Sequence, residues 1–256
     1  MFPHELVAFA HRLADLARAE TLPRFAQRVA AENKADAGYD PVTEADREAE
    51  RVMRAAIEAQ HPDHGIAGEE FGVREGRSRW TWSLDPIDGT RAFICGLPSW
   101  TTLIALLDGD RPVLGVVDAP VLGERALGAP GRTWLNGAAA RTSGCATLAE
   151  ARLSTTDPFL FAGADRDGFD RVRRAARVTR YGLDAYAYAR VAAGTLDLVV
   201  EAGLQPHDWH ALVPVVEGAG GYVCDWDGGR ELGPGRIVAA ASERLAREAV
   251  RLLRSD

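Results

Sequence analysis

The sequence predicts a mixed protein, α+β in its first half and α/β in its second. Three features carry this: helically spaced apolar residues near the N-terminus, two buried strands joined by a tight turn in the middle, and short strands alternating with helices after about Ala146. Leu6, Phe9, Ala10, Leu13, Leu16 and Ala17 share one helical face, and a second helical pattern starts after Thr43 and runs to about Ala59. A polar loop, Asn33 to Pro41, separates them. Gly65-Ile66-Ala67 and Trp80 to Leu84 read as strands that stop at acidic residues, the second of them at Asp85-Pro86. Thr101 to Leu107 and Val113 to Val117 form a predicted hairpin around Asp108-Gly109-Asp110, and the Gly-rich stretch Gly123 to Gly137 predicts irregular antiparallel sheet. In the second half, Ala151 to Thr155 and Leu196 to Glu201 read as strands. Gly168 to Ala176, Ala185 to Ala193 and His207 to Glu217 read as helices. The internal boundary is placed near Ser143 to Thr147, giving halves of residues 1–145 and 146–256.

Composition narrows the function. The chain has 256 residues, 46% of them hydrophobic, enough for a sizeable core. Thirty Lys plus Arg against 37 Asp plus Glu leave a net charge of −7, so no basic field exists to hold a nucleic acid. No stretch approaches the roughly 18 apolar residues of a membrane span, so no membrane role is expected. Met1 to Leu22 is interrupted by His4, Glu5, His11, Arg12, Asp15, Arg18 and Glu20; it reads as a first helix rather than a secretory signal. Cys95, Cys145 and Cys224 are too scattered for a disulfide framework, which points to a reducing cytoplasm.

The densest chemistry lies in Asp85-Pro86-Ile87-Asp88-Gly89-Thr90. Two carboxylates three residues apart at a strand-to-helix turn can converge on a hard cation such as Mg²⁺, and Gly89 admits close backbone approach by a phosphate. The plainer reading is that Asp85 and Asp88 cap a turn and a helix. Gly68-Glu69-Glu70, Thr43-Glu44-Ala45-Asp46 and Asp208 within Pro206-His207-Asp208-Trp209-His210 each fit loop or capping roles on their own. Taken together, acids at 46, 69, 85, 88 and 208 predict one acidic pocket, whose self-repulsion requires bound cations.

These residues, with Glu217-Gly218-Ala219-Gly220-Gly221, resemble the inositol monophosphatase family of metal-dependent, lithium-sensitive phosphatases over essentially the whole chain. Arg91 to Pro98 and Asp184 to Ala189 are most similar to its histidinol-phosphate phosphatase branch. The resemblance implies a five-layer αβαβα sandwich with the site between the halves. It implies two or three Mg²⁺ held by Glu69, Asp85, the Ile87 carbonyl, Asp88 and Asp208. Glu69 and Thr90 would orient the attacking water, with Asp46 hydrogen-bonded to Thr90; Gly89 and Thr90 would hold the phosphate. Gly182, Leu183, Asp184 and Glu201 would form the substrate wall, and a homodimer is a family habit.

The expected reaction is hydrolysis of L-histidinol phosphate, a step of histidine synthesis, by metal-activated water. Asp184 favours a cationic substrate because an unpaired carboxylate recognises an ammonium group by a charge-assisted hydrogen bond; the alternative is that Asp184 pairs with a nearby arginine. Glu201 discriminates less. Inositol 1-phosphate or sugar phosphates are the alternative substrates, and a non-catalytic metal- or phosphate-binding regulator is the alternative class. His207 and His210 lack a third zinc ligand nearby. Cys95, Tyr186 and Tyr188 are expected to pack, and Lys34, in the loop before Asp46, is left out of the core site.

Overall fold

The computed structural model describes residues 3–27, 30–33, 41–230, 232–233 and 235–255. Lys34 and the body of the predicted Asn33 to Pro41 loop lie outside the described residues. The first helix, α1 (His4–Gln27), runs past the predicted Leu22. A short antiparallel pair, β1 (Ala31–Asn33) and β2 (Pro41–Thr43), leads into α2 (Glu44–Gln60). Thr43 starts α2 with a capping box: its hydroxyl accepts the Ala45 amide at 3.1 Å, while Asp46 accepts the Thr43 amide at 2.8 Å.

One sheet follows: β3 (Gly65–Gly68), β4 (Gly72–Arg74), β5 (Trp80–Asp88), then after a short α3 (Thr90–Ile94) the strands β6 (Thr101–Asp108), β7 (Arg111–Ala119), β8 (Glu124–Ala129), β9 (Arg132–Leu135) and β10 (Ala138–Ala140). Its order is β10-β9-β8-β7-β6-β5-β3-β4, antiparallel except for the β3–β5 pair. The stretch predicted as irregular is thus a regular meander. A second sheet contains β11 (Arg152–Thr155), β12 (Val178–Tyr181), β13 (Leu198–Glu201), β14 (Tyr222–Asp225) and β15 (Ile237–Ala240), ordered β12-β11-β13-β15-β14. Helices α4 (Gly163–Ala175), α5 (Tyr186–Ala192), α6 (Pro206–His210), α7 (Leu212–Gly218) and α8 (Glu243–Arg254) complete the second half. The single helix predicted from His207 to Glu217 divides at Ala211 into α6 and α7.

Five layers result. Phe9, Leu13, Met53 and Ile57 of α1 and α2 pack on Trp82, Leu84, Ile104 and Leu106. On the opposite face, Leu103, Ala105 and Val117 meet Val191 of α5, Leu212 and Val215 of α7, and Val199 and Ala239 of the second sheet. Leu198, Val200 and Val238 then face Phe169 and Val172 of α4 and Leu245 and Leu253 of α8. Strands β6 and β13 are apolar at consecutive positions because both of their faces are covered. The middle helix layer sits unusually close to the first sheet: a Cβ at Gly115 would stand 2.0 Å from the Ala211 carbonyl oxygen, and one at Gly128 2.2 Å from that of Pro214. Glycine is required at both.

Candidate active site

Strand β5 does not end at Asp85-Pro86 as predicted; it continues to Asp88, with a register shift between Asp85 and Asp88. Proline has no N–H to give the ladder, so the pairing breaks there and the Pro86 carbonyl instead accepts the Thr102 hydroxyl at 2.8 Å. The irregularity has a chemical consequence. In a regular strand residues three apart point to opposite faces; the bulge brings Asp85 and Asp88 to one side. Asp208, at the third position of α6, joins them, and one oxygen from each of the three carboxylates lies within 4.8 Å of the others. Asp208 also accepts the Gln205 amide at 2.7 Å, so its capping and clustering roles coexist.

Glu69 leads the turn after β3, its amide donating to the Leu84 carbonyl at 3.1 Å. Its carboxylate is near enough to Asp85 to raise the Asp85 carboxyl by repulsion and by a side-chain hydrogen bond. Asp85 is 2% exposed and its Oδ1 has no hydrogen-bond partner. Burial first, then repulsion from Glu69, Asp88 and Asp208, pushes the Asp85 carboxyl well above the ordinary carboxylate range. Asp88 is raised likewise, by burial and then by Asp184 and Asp208. An orphaned buried oxygen among mutually repelling carboxylates fits a hard divalent cation with oxygen ligands.

Gly89 follows in the left-handed conformation (φ 80°) and opens α3. Thr90 differs from expectation. Its hydroxyl donates to the Ile87 carbonyl at 3.0 Å, while Asp46 takes the Thr43 hydroxyl at 2.6 Å; the expected Asp46–Thr90 hydrogen bond is not formed. Asp46 is committed to the cap of its own helix. It is buried, and that burial raises its pKa to about 7 against the opposing Thr43 bonds, with Glu70 and Glu69 adding to the rise.

From the second half, Asp88 accepts the Ala185 amide at 2.8 Å, which draws Asp184 to the site. A Cβ on Gly89 would lie 3.0 Å from Asp184 Oδ2, so the missing side chain makes room for this carboxylate. Asp184 holds a left-handed backbone (φ 46°). Its pKa is raised to about 6 by burial, although the Arg91 guanidinium and the Thr156 hydroxyl pull it down. Arg91 is therefore the arginine of the alternative ion-pair reading. Glu201 is buried at the end of β13 beside the end of parallel β11 and accepts from the Thr156 amide at 2.7 Å, the Thr156 hydroxyl at 3.0 Å and the Thr155 hydroxyl at 3.2 Å. Burial nonetheless pushes it up to about 8.

Asp88, Asp184, Glu201 and Asp208 line one cavity of about 140 Å³ with Leu160, Leu204, Leu212 and Tyr188. Larger grooves of about 1040 and 1190 Å³ open elsewhere, but among the described residues neither gathers an acidic cluster. Gly182 and Leu183 do not line the cavity: Gly182 ties Ser99 to Thr156, and Leu183 packs on the central core, together presenting Asp184. Tyr188, expected only to pack, is buried with an unpartnered hydroxyl. Cys95 is exposed rather than packed, because α3 ends beside it and Gly96 turns the chain outward. His207 and His210 turn to Asp208 and Ser83 respectively. Residues missed in the sequence include Thr155, Thr156 and Glu50; an acid at 50 on the buried stripe Ala45-Ala49-Met53-Ile57 was the available signal for the last.

The sequence profile described as the Inositol monophosphatase family matches residues 3–255. The chain belongs to that family. Family membership makes it a metal-dependent phosphatase, and its five layers are the αβαβα sandwich of the inositol monophosphatase fold. This family member is 48% identical over 205 residues to a protein of Arabidopsis thaliana named bifunctional phosphatase IMPL2, chloroplastic, a match spanning 79% of this chain and 59% of that protein. It is 38% identical over 246 residues to a histidinol-phosphatase of Streptomyces coelicolor, covering 91% of this chain and 90% of the relative. An inositol monophosphatase structure from Zymomonas mobilis superposes with a TM-score of 0.87 at 41% identity over 100% of both chains.

Proposed function

We propose that this chain is a Mg²⁺-dependent phosphomonoesterase that hydrolyses L-histidinol phosphate to L-histidinol and phosphate, serving histidine biosynthesis. The observation that carries the substrate reading is the Asp184 carboxylate against Gly89, sharing a small cavity with Glu201. A cavity with two acids beyond the metal cluster suits a substrate with phosphate at one end and ammonium at the other. Similarity to relatives named histidinol-phosphatase supports it.

Glu69, Asp85, Asp88, Asp208 and the Ile87 carbonyl would hold two or three Mg²⁺. When bound, the cations supply Lewis acidity toward the phosphoryl oxygens and lower the pKa of water. The chain does the rest. The Thr90 hydroxyl donates its hydrogen bond to the Ile87 carbonyl, so its oxygen is left to accept one from the attacking water; the Ile87 carbonyl thus serves in the place expected of Asp46. Glu69 takes the proton of that water. The Gly89 and Thr90 amides hold phosphoryl oxygens, while Asp184 anchors the ammonium end and Glu201, pushed up to about 8 and so protonated at neutral pH, offers that end a neutral hydrogen-bond acceptor. Leu160, Leu204 and Leu212 supply the apolar part of the cavity wall. Attack forms the new P–O bond as the ester P–O bond breaks; the departing alkoxide takes a proton from solvent water to give histidinol, and the proton released by Glu69 restores that water.

A phosphate-release panel with Mg²⁺ tests the reading. Histidinol phosphate should be turned over faster than inositol 1-phosphate and sugar bisphosphates; comparable or faster release from inositol 1-phosphate would overturn it in favour of polyol phosphates, a reading that Glu201 also suits. The same proposal includes inhibition by lithium, a cytoplasmic location and a homodimer. The exposed apolar residues Leu97, Phe159, Leu160 and Tyr181 support the dimer, and sedimentation velocity tests it.

A further inference from the structure

One wholly buried carboxylate plays no part in this chemistry. Glu50 lies on α2 one turn beyond Asp46 and one turn before Arg54. Its Oε2 accepts the Glu70 amide at 2.8 Å, and its Oε1 accepts the Phe71 amide at 3.2 Å and the Arg54 Nε at 2.6 Å. Arg54 continues to the Gly72 carbonyl, and its guanidinium stands 5.9 Å from the centre of the Phe71 ring. Since β3 and β4 pair Gly68 with Gly72, residues 69–71 are the whole of a hairpin turn. Glu69 is its first residue.

Gly68 completes the arrangement. A Cβ there would fall 1.9 Å from Glu50 Oε1, so glycine alone lets the carboxylate slide under the strand end. A buried ion pair is a poor way to gain stability, because desolvation cancels most of the attraction. What this one achieves is satisfaction of two turn amides that no strand takes. With the Glu69 amide bound to Leu84 on β5, the backbone is held on both sides of Glu69.

We propose that Glu50, held by Arg54, is a positioning residue: it locks the Glu69 turn so that the Glu69 carboxylate stands beside Asp85 before any cation or substrate arrives. This rests on the metal-ligand reading of Glu69. The test combines three variants with exchange in the unaltered protein. In metal-free wild-type protein the Glu70 and Phe71 amides should exchange as slowly as those of α2; free exchange would overturn the proposal. Glu50→Gln removes the charge, while Gly68→Ala displaces the carboxylate from the other side without deleting it. Each should weaken Mn²⁺ binding, read by calorimetry with Mn²⁺ alone, by about 10–100-fold. Each should also lower kcat on histidinol phosphate with KM little changed. If Glu50→Gln fails to fold, Gly68→Ala decides, and a folded Gly68→Ala protein with wild-type Mn²⁺ affinity refutes the idea. Glu69→Gln separates the two readings: if it leaves Mn²⁺ binding intact the site assignment fails, whereas loss in Glu69→Gln with none in the other two defeats only the role of Glu50.

Discussion

The imidazole Nδ1 of His210 lies 2.9 Å from the hydroxyl of Ser83. Ser83 stands two residues before Asp85 on β5, and His210 two residues after Asp208 on α6. Trp82 and Leu84 face α1 and α2, so Ser83 and Asp85 share the opposite face. A hydrogen bond between the two halves of the chain is thereby set beside the point where their carboxylates meet. Ser83→Ala should leave His210 Nδ1 unsatisfied and cost about 1–3 kcal/mol in urea unfolding. It should also weaken Mn²⁺ binding, since the contact ties α6 to β5 two residues from Asp208. Unchanged unfolding and binding would show that the contact holds nothing in place.

Asp85→Asn should abolish metal-dependent hydrolysis, a loss on the order of 10³-fold or more, because several kcal/mol of transition-state stabilisation depend on the cation. The metal-free protein should meanwhile gain stability. Its Asp85 carboxyl is raised by burial and by three acidic neighbours, and amide substitution relieves that repulsion. A rise in melting temperature of about 2–4 °C in chelator, by circular dichroism, is the expected sign.

Asp184→Asn keeps a residue tolerant of the left-handed backbone and removes only the charge. For histidinol phosphate, kcat/KM should fall on the order of 10–100-fold, the worth of a charge-assisted hydrogen bond. For inositol 1-phosphate it should hold steady. Equal losses on both substrates would return Asp184 to a structural ion pair with Arg91.

Glu201 has a folded pKa of about 8 against an ordinary 4.5. Between these values the folded state binds more proton than the unfolded state, so stability falls as pH rises. Metal-free wild-type protein should therefore lose melting temperature from pH 5 to pH 8 more steeply than Glu201→Gln. Parallel curves would mean that Glu201 is ionised throughout.

Gly115→Ala should destabilise the fold by about 1–3 kcal/mol, since its new methyl group meets the Ala211 carbonyl. Asp208 lies just upstream of Ala211, so Mn²⁺ affinity should fall along with stability. Denaturant unfolding and calorimetry on the same sample check both.

Elements with strong local signatures were readable from residue order. Thr43 and Asp46 announced α2 through their capping chemistry, and Asp108-Gly109-Asp110 announced the β6–β7 hairpin. Strands β12, β14 and β15 carry no such signature: β12 is a largely exposed edge strand containing Thr179 and Arg180, β14 buries only Val223 and Cys224, and β15 is half alanine, a poor strand former. The pairing of Asp46 with Thr90 failed for another reason. Both side chains found closer partners in their own turns, Thr43 and the Ile87 carbonyl.

Residue order alone determined which acids were available and which segments would bend around them, because caps, turns and the proline in β5 act over a few residues. Tertiary structure alone decided that Asp85, Asp88 and Asp208 share one point, that Asp184 fills the space left by Gly89, and that Glu50 reaches the Glu69 turn. Those contacts depend on a bulge, on glycines that let layers approach, and on packing between helix and sheet. Their energies arise only when segments distant in the chain are brought together.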